Sequence, residues 1–177
     1  MLVTAAAGQG GHSLAYAIAS GPSRAGHWCA VVGAEDPGVA AVAELGLDLR
    51  RVVFVPVRAG QTAEAVGELL DGFELVVLAA PRPIAPALAR RLASRARERR
   101  AVLVVLGEDA SAWPEADLTL SVTESSWQGV SRGHGHLQAR RATVRSSARR
   151  GSTRPTSRAL WLPARSGAAR PLGGEAS

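Results

Sequence analysis

Through the first 107 residues, short continuous apolar runs alternate with stretches in which apolar positions recur at helical spacing. Residues 2–7 are an apolar start, Gly8 to Gly11 a glycine-rich turn, and residues 13–20 a helix that a loop over 21–26 should end. The run Trp28-Cys29-Ala30-Val31-Val32 is too short for a helix and is bounded by Gly26 and Gly33, which predicts a buried strand. A helix over 39–45 follows, with Gly46 where a left-handed C-cap belongs. Three further strands are predicted at 52–55, 75–78 and 101–106, with helices at 62–70 and 85–99 between them. Strands separated by helical segments of this length imply βαβ units, and therefore a parallel sheet covered on both faces.

After Gly107 the period changes. Residues 117–122, 136–139 and 143–144 alternate polar and apolar, which predicts two or three half-exposed antiparallel strands with a turn between Gly129 and Gly135. From Ser146 to Arg158 the chain is Ser, Arg, Gly and Thr without periodicity, and the last dozen residues are expected to be disordered. Between these stretches stands one apolar run, Ala159-Leu160-Trp161-Leu162, either an edge strand of the sheet or an anchor for another protein. The pattern divides the chain into an α/β domain over 1–145 and a basic, largely irregular tail over 146–177 with a short apolar strand at 159–162.

Composition sharpens this picture. Only seven of 177 residues are aromatic, so Ala, Val and Leu must fill the core, which suits a sheet under helices better than an aromatic-rich sandwich. The single Cys29 allows no internal disulfide and no cysteine cluster, and no apolar run is long enough to span a bilayer; a cytoplasmic protein without membrane contact is expected. The net charge of +6 is unevenly placed: residues 1–124 carry 11 Arg and 14 acids, a balance of −3, whereas 125–177 carry 10 Arg and one Glu, a balance of +9. Lys is absent, so every fixed cation is an arginine capable of bidentate contact with phosphate or carboxylate. Arg140, Arg141, Arg145, Arg149 and Arg150, together with Trp161, are the candidate partner or nucleic-acid residues. DNA binding through them is expected to be weak, sequence-independent and salt-sensitive. A second basic cluster, Arg90, Arg91, Arg95, Arg97, Arg99 and Arg100, lies on the longest helix with only Glu98 in local opposition.

The segment 29–37, Cys-Ala-Val-Val-Gly-Ala-Glu-Asp-Pro, followed by Leu45-Gly46-Leu47-Asp48 and the strand at 52–55, resembles the RecA recombinase core. The resemblance runs from about residue 3 to 145. The Trp28 to Gly33 run, the Ala89-Arg90-Arg91-Leu92 helix, the strand 101–107 and Trp161-Leu162-Pro163 are most similar to the actinobacterial ImuA-type RecA-like proteins. It implies a RecA-like three-layer sandwich with a mostly parallel sheet and antiparallel C-terminal strands.

That resemblance also supplies a test of chemistry. A phosphate-binding loop needs glycines whose N–H groups wrap the phosphates, a Lys for charge, and a hydroxyl for magnesium. The matching turn, with Gly8, Gly10, Gly11 and Ser13, places Gly11 at the lysine position and His12 at the first hydroxyl. The strand at 75–78 is followed by Ala79, where a magnesium-orienting Asp is needed. Glu35 matches the catalytic glutamate; its plainer role is a strand-end residue or a cap of the next helix. His134 and His136 are too few for zinc, and Ser125, Ser126 and Ser131 lack a nucleophile setting.

The expected protein therefore has no catalytic residue beyond the residual candidate Glu35, and neither cofactor nor metal. The resemblance implies an accessory or scaffold protein of SOS-type DNA damage tolerance in the mutagenic translesion synthesis complex. Its partners would be a Y-family polymerase homologue and, through it, a replicative-type DNA polymerase. An ATP-dependent DNA-binding recombinase relative and a SulA-like cell-division inhibitor are the alternatives.

Overall fold

A computed structural model describes residues 1–6, 10–58, 60–79, 84–107, 113, 116–131, 134–148 and 154–172. The described chain forms β1 (Leu2–Ala6), α1 (Gly11–Arg24), β2 (Cys29–Val32), α2 (Val39–Glu44), β3 (Val52–Val55), α3 (Thr62–Gly72), β4 (Leu75–Leu78), α4 (Pro86–Glu98), β5 (Val102–Gly107), β6 (Leu118–Ser131), β7 (His134–Ala148), β8 (Thr156–Trp161) and β9 (Arg170–Pro171). All nine strands belong to one sheet in the order β3-β2-β4-β5-β1-β6-β7-β8-β9. Strands β1 to β6 pair in parallel, and β7, β8 and β9 each pair antiparallel to the strand before.

Two apolar layers explain the continuous hydrophobic strands. Successive side chains point to opposite faces: Val3, Cys29, Val31, Leu75, Val77, Val104 and Leu106 meet α1 and α2, through Leu14, Ala15, Tyr16, Ala19 and Val42. On the other face Ala30, Val32, Val76, Leu78, Leu103 and Val105 meet Val66 and Leu70 of α3 and Ala89, Leu92, Ala93 and Ala96 of α4. Alanines at the helix contacts let the backbones lie close to the sheet. Cys29 is fully buried among them, and burial pushes its thiol up to about 11, so it acts as a small apolar side chain. No helix among the described residues is long and apolar enough to cross a membrane.

The structure departs from the sequence reading in four places. Helix α1 does not stop at Gly21-Pro22 but runs to Arg24. Its last turn is held by Ser23, fully buried, whose hydroxyl donates to the Ser20 carbonyl and accepts the Asp48 N–H at 3.2 Å. Packing here outweighs the propensity penalty. The alternating segments after Gly107 are two long strands, with Ser131 opposite His134, so the turn is narrower than the predicted 129–135.

The sheet also continues past 145: β7 reaches Ala148, and β8 and β9 extend the same sheet where an irregular tail was expected. Side chains here show no period because the β7–β8 pairs nearest the connection are polar, Arg145 with Ser157 and Ser146 with Thr156; the backbone ladder carries the pairing. The apolar run at 159–162 joins its own sheet and is no external anchor, with Leu160 and Trp161 in β8 between β7 and β9, which forms the edge, and Leu162 fully buried on the α1 side. Of the last dozen residues, 166–172 are described and include β9, whereas 173–177 lie outside the described residues.

The arginines of α4 are opposed by acids from elsewhere in the fold. Asp71 of α3 accepts from Arg95 Nε at 2.9 Å and from Arg99 Nε at 3.0 Å, and Asp117 lies 3.4 Å from Arg97. The hydrogen bond from Arg95 holds the Asp71 carboxyl below its usual range. A depressed carboxyl contributes stability that is complete above the unfolded value of about 3.9 and is lost as pH falls through the lower folded one. The unfolding stabilities of wild type and Asp71→Asn should therefore differ by a constant, small amount at neutral pH and converge in acid. A difference that grows on acidification would refute the pairing.

Candidate functional site

In a parallel sheet the loops after the strands meet at one edge, which is where α/β proteins place their ligands. The turn before α1, Gly33 and Glu35 after β2, and Ala79 after β4 all lie there. Gly10 is the N-cap of α1 with φ of 112°, a left-handed conformation that glycine adopts without strain. Gly11 begins the helix, and a Cβ on it would fall 1.8 Å from the Ala6 carbonyl oxygen. The glycine at the lysine position is therefore a packing requirement: the helix start rests directly on the end of β1. Ser13 is half-buried two residues further into α1, and Gly8 lies outside the described residues.

Glu35 is exposed beyond β2, and the N-cap position of α2 belongs to Gly38, so Glu35 caps nothing. The local turn is closed by Asp36, whose carboxylate accepts the Gly38 N–H at 3.2 Å. Ala79 is buried, with its N–H donating to the Val32 carbonyl at 2.8 Å. No group of three or more metal-ligating side chains occurs among the described residues.

Among the described residues, Arg140, Arg141 and Arg145 do not form one patch. Alternation along β7 puts Arg141 and Arg145 on the exposed face, whereas Arg140 shares the inner face with Ala142 and Val144. Trp161, opposite Arg141, is half-buried and borders an open groove of about 420 Å³ with Gln128, Ala139, Arg165 and Arg170. Arg149 and Arg150 lie outside the described residues.

Arg140 is only 6% exposed. The β6–β7 hairpin overhangs the end of β1, because Ala5 pairs with Leu120 whereas Arg140 lies opposite Trp127, seven residues further on. The overhang brings the guanidinium back over the α1 N-terminus: a Cβ on Gly10 would lie 2.5 Å from Nη2 and 2.6 Å from Nη1. Arg140 Nε donates to the Leu162 carbonyl at 2.7 Å, and the guanidinium carbon lies 5.3 Å from the Trp127 ring centre. Nη2 is buried without a hydrogen-bond partner among the described residues, and burial pulls the guanidinium below its ordinary pKa.

Trp127 and the Leu162 carbonyl escaped the sequence reading. For Trp127 the signal was the cross-strand reflection about the hairpin turn, but a register shift between Gln128 and Val130 moves every pairing beyond it.

Comparison with known proteins places the helix-covered half of this sheet. A family model described as the MT3502 N-terminal domain matches residues 2–115, which spans β1 to β5. The Mycobacterium tuberculosis protein named "Uncharacterized protein Rv3395c" is 33% identical over 123 residues, or 69% of this chain. The chain spans about half, 52%, of that relative's length. Trp127 and Arg140 lie beyond the segment that the family model matches. With β1 to β5 and the glycine turn inside the match, the chain belongs to the MT3502 N-terminal domain family.

Proposed function

We propose that this protein is a non-catalytic, RecA-like accessory protein of the ImuA type, acting in the cytoplasm in SOS-type DNA damage tolerance. It binds a Y-family polymerase homologue of the translesion synthesis complex and, through it, a replicative-type DNA polymerase. One observation carries the non-catalytic part of the reading: the Gly11 Cβ position is blocked by the Ala6 carbonyl, so the turn admits no lysine there. Ala79 at the end of β4 agrees with it, since a methyl group cannot orient magnesium. The strand order supports a RecA-like sheet over a dinucleotide-binding one, in which β1 and β2 are neighbours; here β4 and β5 lie between them. The polymerase partners rest on the resemblance in residues 28–33, 89–92, 101–107 and 161–163. The mycobacterial relative is consistent with the actinobacterial part of that resemblance.

The test is affinity purification of the tagged protein from cells treated with a DNA-damaging agent, with mass spectrometry of what is retained. A Y-family polymerase homologue should be enriched over untagged cells. Its absence, together with recovery of recombination or cell-division proteins, would replace this reading by one of its alternatives. Isothermal titration with magnesium-ATP separates out the enzymatic alternative, because magnesium-dependent micromolar affinity is incompatible with a turn that lacks the lysine and a strand end that lacks the metal-orienting carboxylate.

A further inference from the structure

We infer that Arg140 and the N-terminus of α1 form a binding site for one tetrahedral oxyanion of the phosphate class, taken up without magnesium. This inference stands on geometry and does not depend on the polymerase reading. Helix α1 is 14 residues long, its N-cap Gly10 offers no side chain, and its first turn contains no acid. The first N–H groups of a helix lack intrahelical partners and carry partial positive charge.

Against this end the fold packs a second positive group. Arg140 is 94% removed from solvent, given its 6% exposure, and its Nη2 is unpartnered among the described residues. A guanidinium stays protonated even when buried, and an uncompensated buried charge is strongly destabilising. Placing it beside a helix N-terminus adds repulsion of like sign. A single anion relieves both, by accepting from Nη2 and from the helix N–H groups together.

The surroundings fix the fork in place. Leu162 holds Nε, and the Trp127 ring supports the guanidinium. Only glycine at position 10 permits the approach, because a Cβ there would meet Nη2 at 2.5 Å. Trp127, the ring against which the guanidinium rests, is itself 46% exposed. The ligand is a metal-free oxyanion and not a magnesium nucleotide, since Ala79 supplies no carboxylate and Gly11 leaves no space for a lysine.

The test is a titration of the full chain with inorganic phosphate against sodium chloride at matched ionic strength, followed by amide NMR and thermal melting. Phosphate should shift the Gly10 and Gly11 amides saturably and raise the melting temperature, as a ligand of the native state must. Arg140→Gln should weaken phosphate binding about tenfold or more, and Arg140→Lys, which keeps the charge but not the fork, by a smaller factor. A short oligonucleotide with a 5′-phosphate, compared with its unphosphorylated form, identifies the source. Competition at lower concentration than inorganic phosphate assigns a nucleic-acid end, and no such gain assigns free phosphate. An effect equal to that of chloride, or unsaturable shifts in the wild type, would overturn the proposal whether or not the variants fold. So would undiminished phosphate binding in folded Arg140→Gln.

Discussion

Gly11→Ala should destabilise the protein by at least about 3 kcal/mol in denaturant unfolding, the upper end of what overpacking costs. The added methyl would lie 1.8 Å from a backbone oxygen, so neither a rotamer change nor a side-chain shift can relieve it. Either α1 must move off the sheet, losing the burial of Leu14, Ala15 and Ala19, or β1 must break its register with β5. Gly11→Lys should be at least as damaging, and the reinstated cation should not confer nucleotide binding. Gly67→Ala in α3 is the control: its Cβ meets only the Leu92 Cδ2 atom at 3.9 Å. There the gain in helix propensity should stabilise by up to about 1 kcal/mol. Equal effects at the two positions would show that the close approach at Gly11 is wrong.

Leu162→Ala should cost about 3 kcal/mol, within the usual range for emptying a leucine site in a core. Trp161→Ala should cost less, about 1–2 kcal/mol, although Trp is the larger residue. The order follows from burial: Leu162 is fully enclosed on the α1 face, whereas Trp161 is half-buried beside an open groove. Truncation after Arg158 removes Leu162 together with the carbonyl that holds Arg140 Nε, and should lower the melting temperature by more than either substitution. The reverse order, with Trp161 dominating stability, would contradict the placement of β8. A truncate that keeps its stability and loses only partner binding would return the segment to the role of an external anchor.

The alternation of apolar runs was enough to locate β1 to β5 and the four helices to within a few residues, with α1 the exception at its C-terminal end. Strands such as Leu75–Leu78 are buried on both faces, and that leaves an uninterrupted apolar run which local sequence cannot disguise. The glycine turn, the absent lysine and the single buried cysteine were legible for the same reason, because each is a property of one residue at one place. The tertiary structure alone decided what surrounds them. Strand β1 lies between β5 and β6, an order that no local pattern encodes because it depends on which strand edges remain open when each crossover closes. Asp71 and Asp117 meet arginines 20 to 28 residues away, so a helix that looks unopposed in sequence is paired in space. Arg140 and Arg141 are adjacent in the chain and alike in chemistry, yet the pleat sends one to the inner face over Gly10 and the other to solvent. A one-residue change in register reverses such an assignment, and the register of β7 against β6 is set by the shifts at Val122/Glu124 and Gln128/Val130 and by the packing of Ala142 and Val144 against the core.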